Sequence, residues 1–251
     1  MILNLIKFKA FNCLCMDEIL NNKDEFFYCL SCKTNSNLKD IFENHRLYCA
    51  NFTNLNDIME YTFCYDINDL KNNEIPNLEE IRKQKEYYKI CSCSCDEKKF
   101  FKEELMWAHY ANEHLGLRID FTPLENLDIQ HVIYSKKPTQ INKDFFNSNG
   151  EILYKKFKKI FIKKLPDWRY EQEYRIIKKA NSEKEKVYVN IKINKVILGK
   201  KFLRWDFDFN SCGCFDKNLL NFAKKLLEIY KDTFEIFTYK SRYCNDLKRI
   251  I

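Results

Sequence analysis

The chain predicts an α+β fold, one mixed domain with a largely antiparallel sheet flanked by helices, on three observations. Helical periods and period-two stretches interleave irregularly, without the steady alternation of repeated βα units. Glycine stands only at 116, 150, 199 and 213, so neither a P-loop nor a GxGxxG phosphate cradle exists, which excludes P-loop nucleoside triphosphatases and Rossmann dehydrogenases. No internal repeat and no Gly-, Ser- or Pro-rich linker divides the 251 residues, so a single domain spanning 1–251 is expected.

In chain order, strands are expected at residues 3–8, 25–30 and 46–50, with helices at 38–44 and 78–86. Asn54-Leu55-Asn56-Asp57 reads as a loop, because Asn and Asp side chains bond the nearby backbone and tolerate left-handed geometry. The alternating cysteines of residues 90–95 fit a buried strand as small apolar side chains. From Leu105 to Leu115 apolar residues recur every three to four positions and Gly116 offers a C-cap, so a helix is expected to run to that glycine. Leu117-Arg118-Ile119-Asp120-Phe121 then alternates apolar and charged side chains, the pattern of a strand with one buried face.

A strand at 130–135 precedes a basic amphipathic helix over about 151–164, whose stripe is Leu153, Phe157, Ile160 and Phe161. Lys155, Lys156, Lys158, Lys159, Lys163 and Lys164 cover the rest of its surface. Beyond Pro166, strands are expected at 170–177 and 187–198, a turn at Gly199, a helix at 219–231 and a strand at 233–239.

Aromatic residues make up 16% of the chain, and Lys, Asn, Ile and Phe are abundant, a usage that resembles AT-rich bacterial coding. Part of the formal charge of +7 follows from that bias, which weakens an inference from charge to a nucleic-acid partner. The N-terminal segment lacks a basic stretch ahead of its apolar part, and no run approaches the ~20 apolar residues that span a bilayer. A cytoplasmic protein without membrane association is therefore expected, its twelve cysteines kept as thiols. Among the cysteine pairs Cys13-x-Cys15, Cys29-x-x-Cys32, Cys91-x-Cys93-x-Cys95 and Cys212-x-Cys214, only the second has zinc-knuckle spacing and it has no partner knuckle, so no metal is expected.

On the expected helix, His109 and His114 point about 140° apart at 3.6 residues per turn, which rules out a paired-histidine metal site. His109 and Glu113 share a helical face and suit a proton relay, although packing is the commoner role for such a histidine. Trp107, Tyr110 and His114 form an aromatic face suited to stacking on a base or to core packing.

Three segments carry a family resemblance. Residues 46–60 hold a strand-like stretch, Asn56-Asp57 and the acidic Glu60, with Ile58 where a proline is usual; Met106-Trp107-Ala108-His109-Tyr110-Ala111 leads to Gly116; and Trp168-Arg169-Tyr170-Glu171-Gln172-Glu173-Tyr174-Arg175 follows. With the weaker Val196-Ile197-Leu198-Gly199, this order is similar to the bacterial domain of unknown function 2971 over residues 38–200. The resemblance implies which residues gather at a site and carries no established activity.

Glu171, Glu173 and Arg175 share a face if the segment is a strand, as either a surface ion-pair ladder or a polar site. The succession Lys7 or Lys9, Ser92-x-Ser94, Glu171-x-Glu173 resembles the Arg, Ser-x-Ser, Glu-x-Glu order of arginine-specific ADP-ribosyltransferases, with lysine in place of the basic residue and a long gap before the glutamates. That resemblance implies an NAD-using site in an effector or toxin-like protein, acting on an unknown macromolecular acceptor. Glu173 would stabilise the ribosyl cation and Glu171 would take the acceptor's proton, with His109 as a further catalytic candidate. Lys7, Lys9, Asn56, Asp57, Ser92, Ser94, Trp107, Tyr110 and Arg175 would bind the nucleotide. The alternative is a non-catalytic or nuclease-associated module binding nucleic acid through the lysines of residues 155–164.

Overall fold

The computed structural model describes residues 4–10, 38–57, 60–66, 68, 76–97, 99–149, 152–202, 225–230, 233–240 and 243–250. The expected strand at 25–30 and the pairs Cys13-x-Cys15, Cys29-x-x-Cys32 and Cys212-x-Cys214 lie outside the described residues. Of the expected helix at 219–231, residues 225–230 are described and are helical.

The strands are β1 (Leu5–Ala10), β2 (Arg46–Asn51), β3 (Phe63–Tyr65), β4 (Tyr88–Ser94), β5 (Gly116–Pro123), β6 (Ile129–His131), β7 (Ile133–Tyr134), β8 (Thr139–Ile141), β9 (Lys163–Lys164), β10 (Glu173–Lys179), β11 (Val187–Leu198), β12 (Glu235–Tyr239) and β13 (Leu247–Arg249). Besides the helical residues 225–230, the α-helices among the described residues are α1 (Leu38–Phe42), α2 (Pro76–Gln84), α3 (Glu103–Tyr110) and α4 (Tyr154–Phe157), and several 3-10 turns accompany them. The fold is α+β and its strand pairing is mostly antiparallel, as expected. No helix among the described residues is long and apolar enough to cross a membrane.

Two compact units are interleaved in sequence: residues 1–47, 102–125 and 190–251 form unit 1, and residues 48–101 and 126–189 form unit 2. In unit 1, β5 pairs antiparallel with β1 and, on its other edge, with the unit 1 part of β11. There β11 pairs in parallel with β12, which takes β13 antiparallel. The alternation of β11 drives this packing, since Ile191 and Ile193 are buried while Asn190 and Lys192 are exposed.

The helix α3 stops at Tyr110 and does not run to Gly116. Asn112, Glu113 and His114 take left-handed backbone, with φ of 46°, 52° and 68°. His109 and Glu113 therefore share no helical face, and His114 reaches Trp107 around a turn: their rings stack at 4.9 Å and 18°. The close passage of three backbones decides this geometry. A Cβ on Gly199 would lie 2.2 Å from the His114 carbonyl oxygen, and one on Gly116 would lie 2.3 Å from that of Lys9. Both faces of β5 are buried over residues 116–121, because Arg118 and Asp120 on its polar side satisfy each other with bonds of 2.8 and 3.1 Å.

In unit 2, β4 pairs antiparallel with β10 along its length, Ala50 and Asn51 of β2 pair with Ile90 and Lys89 of β4, and β6 lies beyond β10. Phe52, Tyr88, Ile90, Phe157, Phe161 and Ile177 belong to its core. The basic segment is not one helix: α4 gives way to a 3-10 turn over Lys158–Ile162 and then to β9. Its phenylalanines pack as expected, with Phe157 and Phe161 at 4.8 and 5.3 Å from the Tyr88 ring. Lys158 and Lys164, however, are buried, Lys158 in an ion pair with Asp128, and a regular helix with lysines facing water gives way to those contacts.

Candidate functional site

The segment 170–177 enters its strand later than expected. Pro166–Glu171 is a 3-10 turn with proline in its first turn, Gln172 closes it in left-handed backbone at φ 44°, and β10 begins at Glu173. Glu171 and Glu173 thus converge through a reversal of the backbone, not through the pleat of one strand. Neither forms an exposed ladder, for each is 3% exposed and Arg175 is wholly buried.

Lys164 gathers them. Its Nζ lies 2.6 Å from Glu171 Oε2, 3.1 Å from Glu173 Oε2 and 3.3 Å from Glu60 Oε1. Arg175 grips Glu173 with Nε at 2.7 Å from Oε1 and Nη2 at 3.2 Å from Oε2, and Nη2 lies 2.8 Å from Glu60 Oε1. The Trp168 ring sits 4.6 Å from Lys164 Nζ, a cation–π contact. The Asn56-Asp57 loop completes the arrangement: Asn56 Oδ1 accepts from Lys164 Nζ at 3.4 Å, and Asp57 Oδ2 accepts from the Leu165 backbone N–H at 2.7 Å. Ser94 stands opposite Glu173 and Ser92 opposite Arg175 in the β4–β10 register. The Glu173 backbone N–H donates to the Tyr134 hydroxyl at 2.9 Å.

Burial pushes the Glu173 carboxyl up, but Arg175 and Lys164, helped by the Ser92 hydroxyl, outweigh it and hold the group well below the usual carboxylate range. Burial also pushes Glu60 up; Arg175 and Lys164 oppose this while Glu173 reinforces it, and the balance stays raised. Lys164 is raised despite its burial, through its three carboxyl neighbours.

Of the residues expected at a site, Asn56, Asp57, Ser92, Ser94, Glu171, Glu173 and Arg175 belong to unit 2, in and around this cluster. Lys7, Lys9, Trp107, His109 and Tyr110 belong to unit 1. There Trp107 is a core residue, edge-on to Phe8 at 5.1 Å and donating from Nε1 to the Tyr239 hydroxyl at 2.8 Å. His109 is exposed, and Lys7 and Lys9 are half-buried on β1. Sequence reasoning missed Glu60 and Lys164 as members of the site. Glu60 had a signal, the acidic residue after the Asn-Asp turn; Lys164 had none that set it apart from its lysine neighbours. Lys155 and Lys159 are the exposed lysines of that basic segment, with Lys156 and Lys163 half-buried.

The segment from α3 to β10, with the helix, Lys164 and the Glu-Arg strand in one stretch, can be compared with known families. Residues 106–176 match the family model of Protein of unknown function (DUF2971). The resemblance expected from the sequence therefore holds over this DUF2971 stretch, which contains Trp107, His109, Tyr110, Lys164, Glu171, Glu173 and Arg175. Asn56, Asp57, Glu60, Ser92 and Ser94 precede the matched residues. No curated protein and no solved structure matches the chain.

Proposed function

We propose that unit 2 carries a ribosyl-transfer centre that takes NAD as substrate, in a cytoplasmic, toxin-like effector that modifies a macromolecular acceptor or hydrolyses the nucleotide. The supporting observation is the convergence of Glu171 and Glu173 on Lys164 with Ser94 opposite Glu173. Breaking a ribosyl–nicotinamide bond sends the electron pair out with the base and leaves positive charge on the ribosyl carbon. An ionised carboxylate stabilises that charge, and Glu173 is kept ionised by Arg175 and Lys164. A second carboxylate, Glu171, takes the proton of the attacking acceptor or water. Because both carboxylates are buried, substrate entry on this reading displaces the Pro166–Glu171 turn, which ends in the strained Gln172.

Incubation of the full chain with labelled NAD and cell lysate tests the proposal. Label on a lysate component or release of nicotinamide is expected, with Glu171→Gln slower by about 100-fold or more. Folded wild-type protein that neither transfers label nor cleaves NAD would sink it. Nucleic-acid binding through residues 155–164 is the weaker proposal, because Lys158 is paired with Asp128 and Lys164 is held in a buried ion pair. A salt-dependent RNA or DNA shift lost in the Lys155→Glu, Lys159→Glu double variant would favour it.

A further inference from the structure

We propose that Glu60 holds a proton in the folded protein at neutral pH and is the neutral acid that balances the charge of the Lys164–Arg175 cluster. The proposal stands apart from the ribosyl-transfer reading and does not need it. Three carboxyl groups, Glu60, Glu171 and Glu173, face two cations, Lys164 and Arg175, in a region where every one of these side chains is at most 4% exposed. Full ionisation leaves one negative charge without a cation. An uncompensated buried charge costs more than taking up a proton, so the cluster binds one.

The geometry selects the holder. Glu173 meets Arg175 through both oxygens and Lys164 through one, and Glu171 has the shortest Lys164 contact, at 2.6 Å. Glu60 comes within ion-pair distance of the cations through Oε1 alone, and neither of its oxygens has a hydrogen-bond partner among the described residues. The groups that act on Glu60 are Arg175 and Glu173 of β10 and Lys164 of β9. Asp57, one turn before it, is bonded to the Leu165 backbone. Oε2 is thus where a proton sits without displacing a cation, while a proton on Glu173 would break a charged contact and one on Glu171 would neutralise the partner in the shortest Lys164 contact. Glu60 is a positioning residue: neutral, it leaves Lys164 to Glu171 and Arg175 to Glu173.

Infrared spectroscopy of the full chain, with glutamate carboxyls isotopically labelled, reads this directly. A protonated-acid carbonyl band is expected in the wild type at neutral pH and absent from Glu60→Gln, which should fold as well as the wild type because glutamine copies a neutral acid. In Glu171→Gln the charge count balances without the proton, so the band should titrate at lower pH. The proposal is overturned if the wild type shows no such band, if the band survives in Glu60→Gln, or if Glu60→Gln fails to fold.

Discussion

Lys164 meets three carboxyls at once, and its stabilisation depends on the ionisation of two of them. Glu173 is more acidic in the folded than in the unfolded state, so its contribution is present above the unfolded carboxyl pKa of about 4.3 and is lost as the pH falls toward the lower folded value. Glu60 runs the other way: its folded pKa is raised, so its contribution falls as the pH rises from about 4.3 toward that raised value. Lys164→Met removes one cation from the cluster and leaves carboxylates short of compensation. It should cost about 3–5 kcal/mol near neutral pH, with a smaller loss than wild type on acidification. Urea titrations across the pH range measure both; a neutral-pH cost below about 1 kcal/mol would contradict a buried, interdependent cluster.

At the scale of elements, the turn after α3 is where expectation and structure part most clearly. Apolar spacing continues past Tyr110, and local propensity alone would continue the helix. The chain instead places three side-chain-bearing residues in left-handed backbone, a cost of order 1 kcal/mol or more each, because β5 must start beside Gly199. The Gly199 N–H donates to the Gly116 carbonyl at 3.1 Å, which ties the two glycines together. Gly199→Ala would drive a Cβ into the His114 carbonyl and should destabilise by about 1–3 kcal/mol. Ring-current shifts of the His114 protons, set by stacking on Trp107, should change in the same variant. A stable Gly199→Ala with an unchanged His114 environment would show that the close passage is not needed.

At the scale of the whole molecule, most cysteines among the described residues serve as small buried side chains. Cys49, Cys91, Cys93 and Cys95 are buried, and Cys64 is exposed. A thiol reagent followed by mass spectrometry should label Cys64 in the folded protein and the four buried cysteines only on unfolding. Equal labelling of Cys91, Cys93 and Cys64 in buffer would mean that β4 is not buried as described. Nor does every lysine behind the net charge of +7 face solvent, since Lys158 and Lys164 are buried beside carboxylates.

The sequence by itself determined the class of fold, the place of most described strands, the loop at Asn56-Asp57 and the segment in which two carboxylates and an arginine come close together. Those features depend on residues a few positions apart, through periodicity of apolar side chains and the turn chemistry of Asn, Asp, Pro and Gly. Only the tertiary structure decided that α3 ends at Tyr110, that the basic segment bends into a 3-10 turn and that Glu171 and Glu173 are buried. It alone chose Lys164 among its neighbours and set Glu60 beside it. The physical reason is range: a charged side chain leaves water only when its partners are in place, and here they come from segments more than 100 positions apart, as Glu60 and Arg175 are.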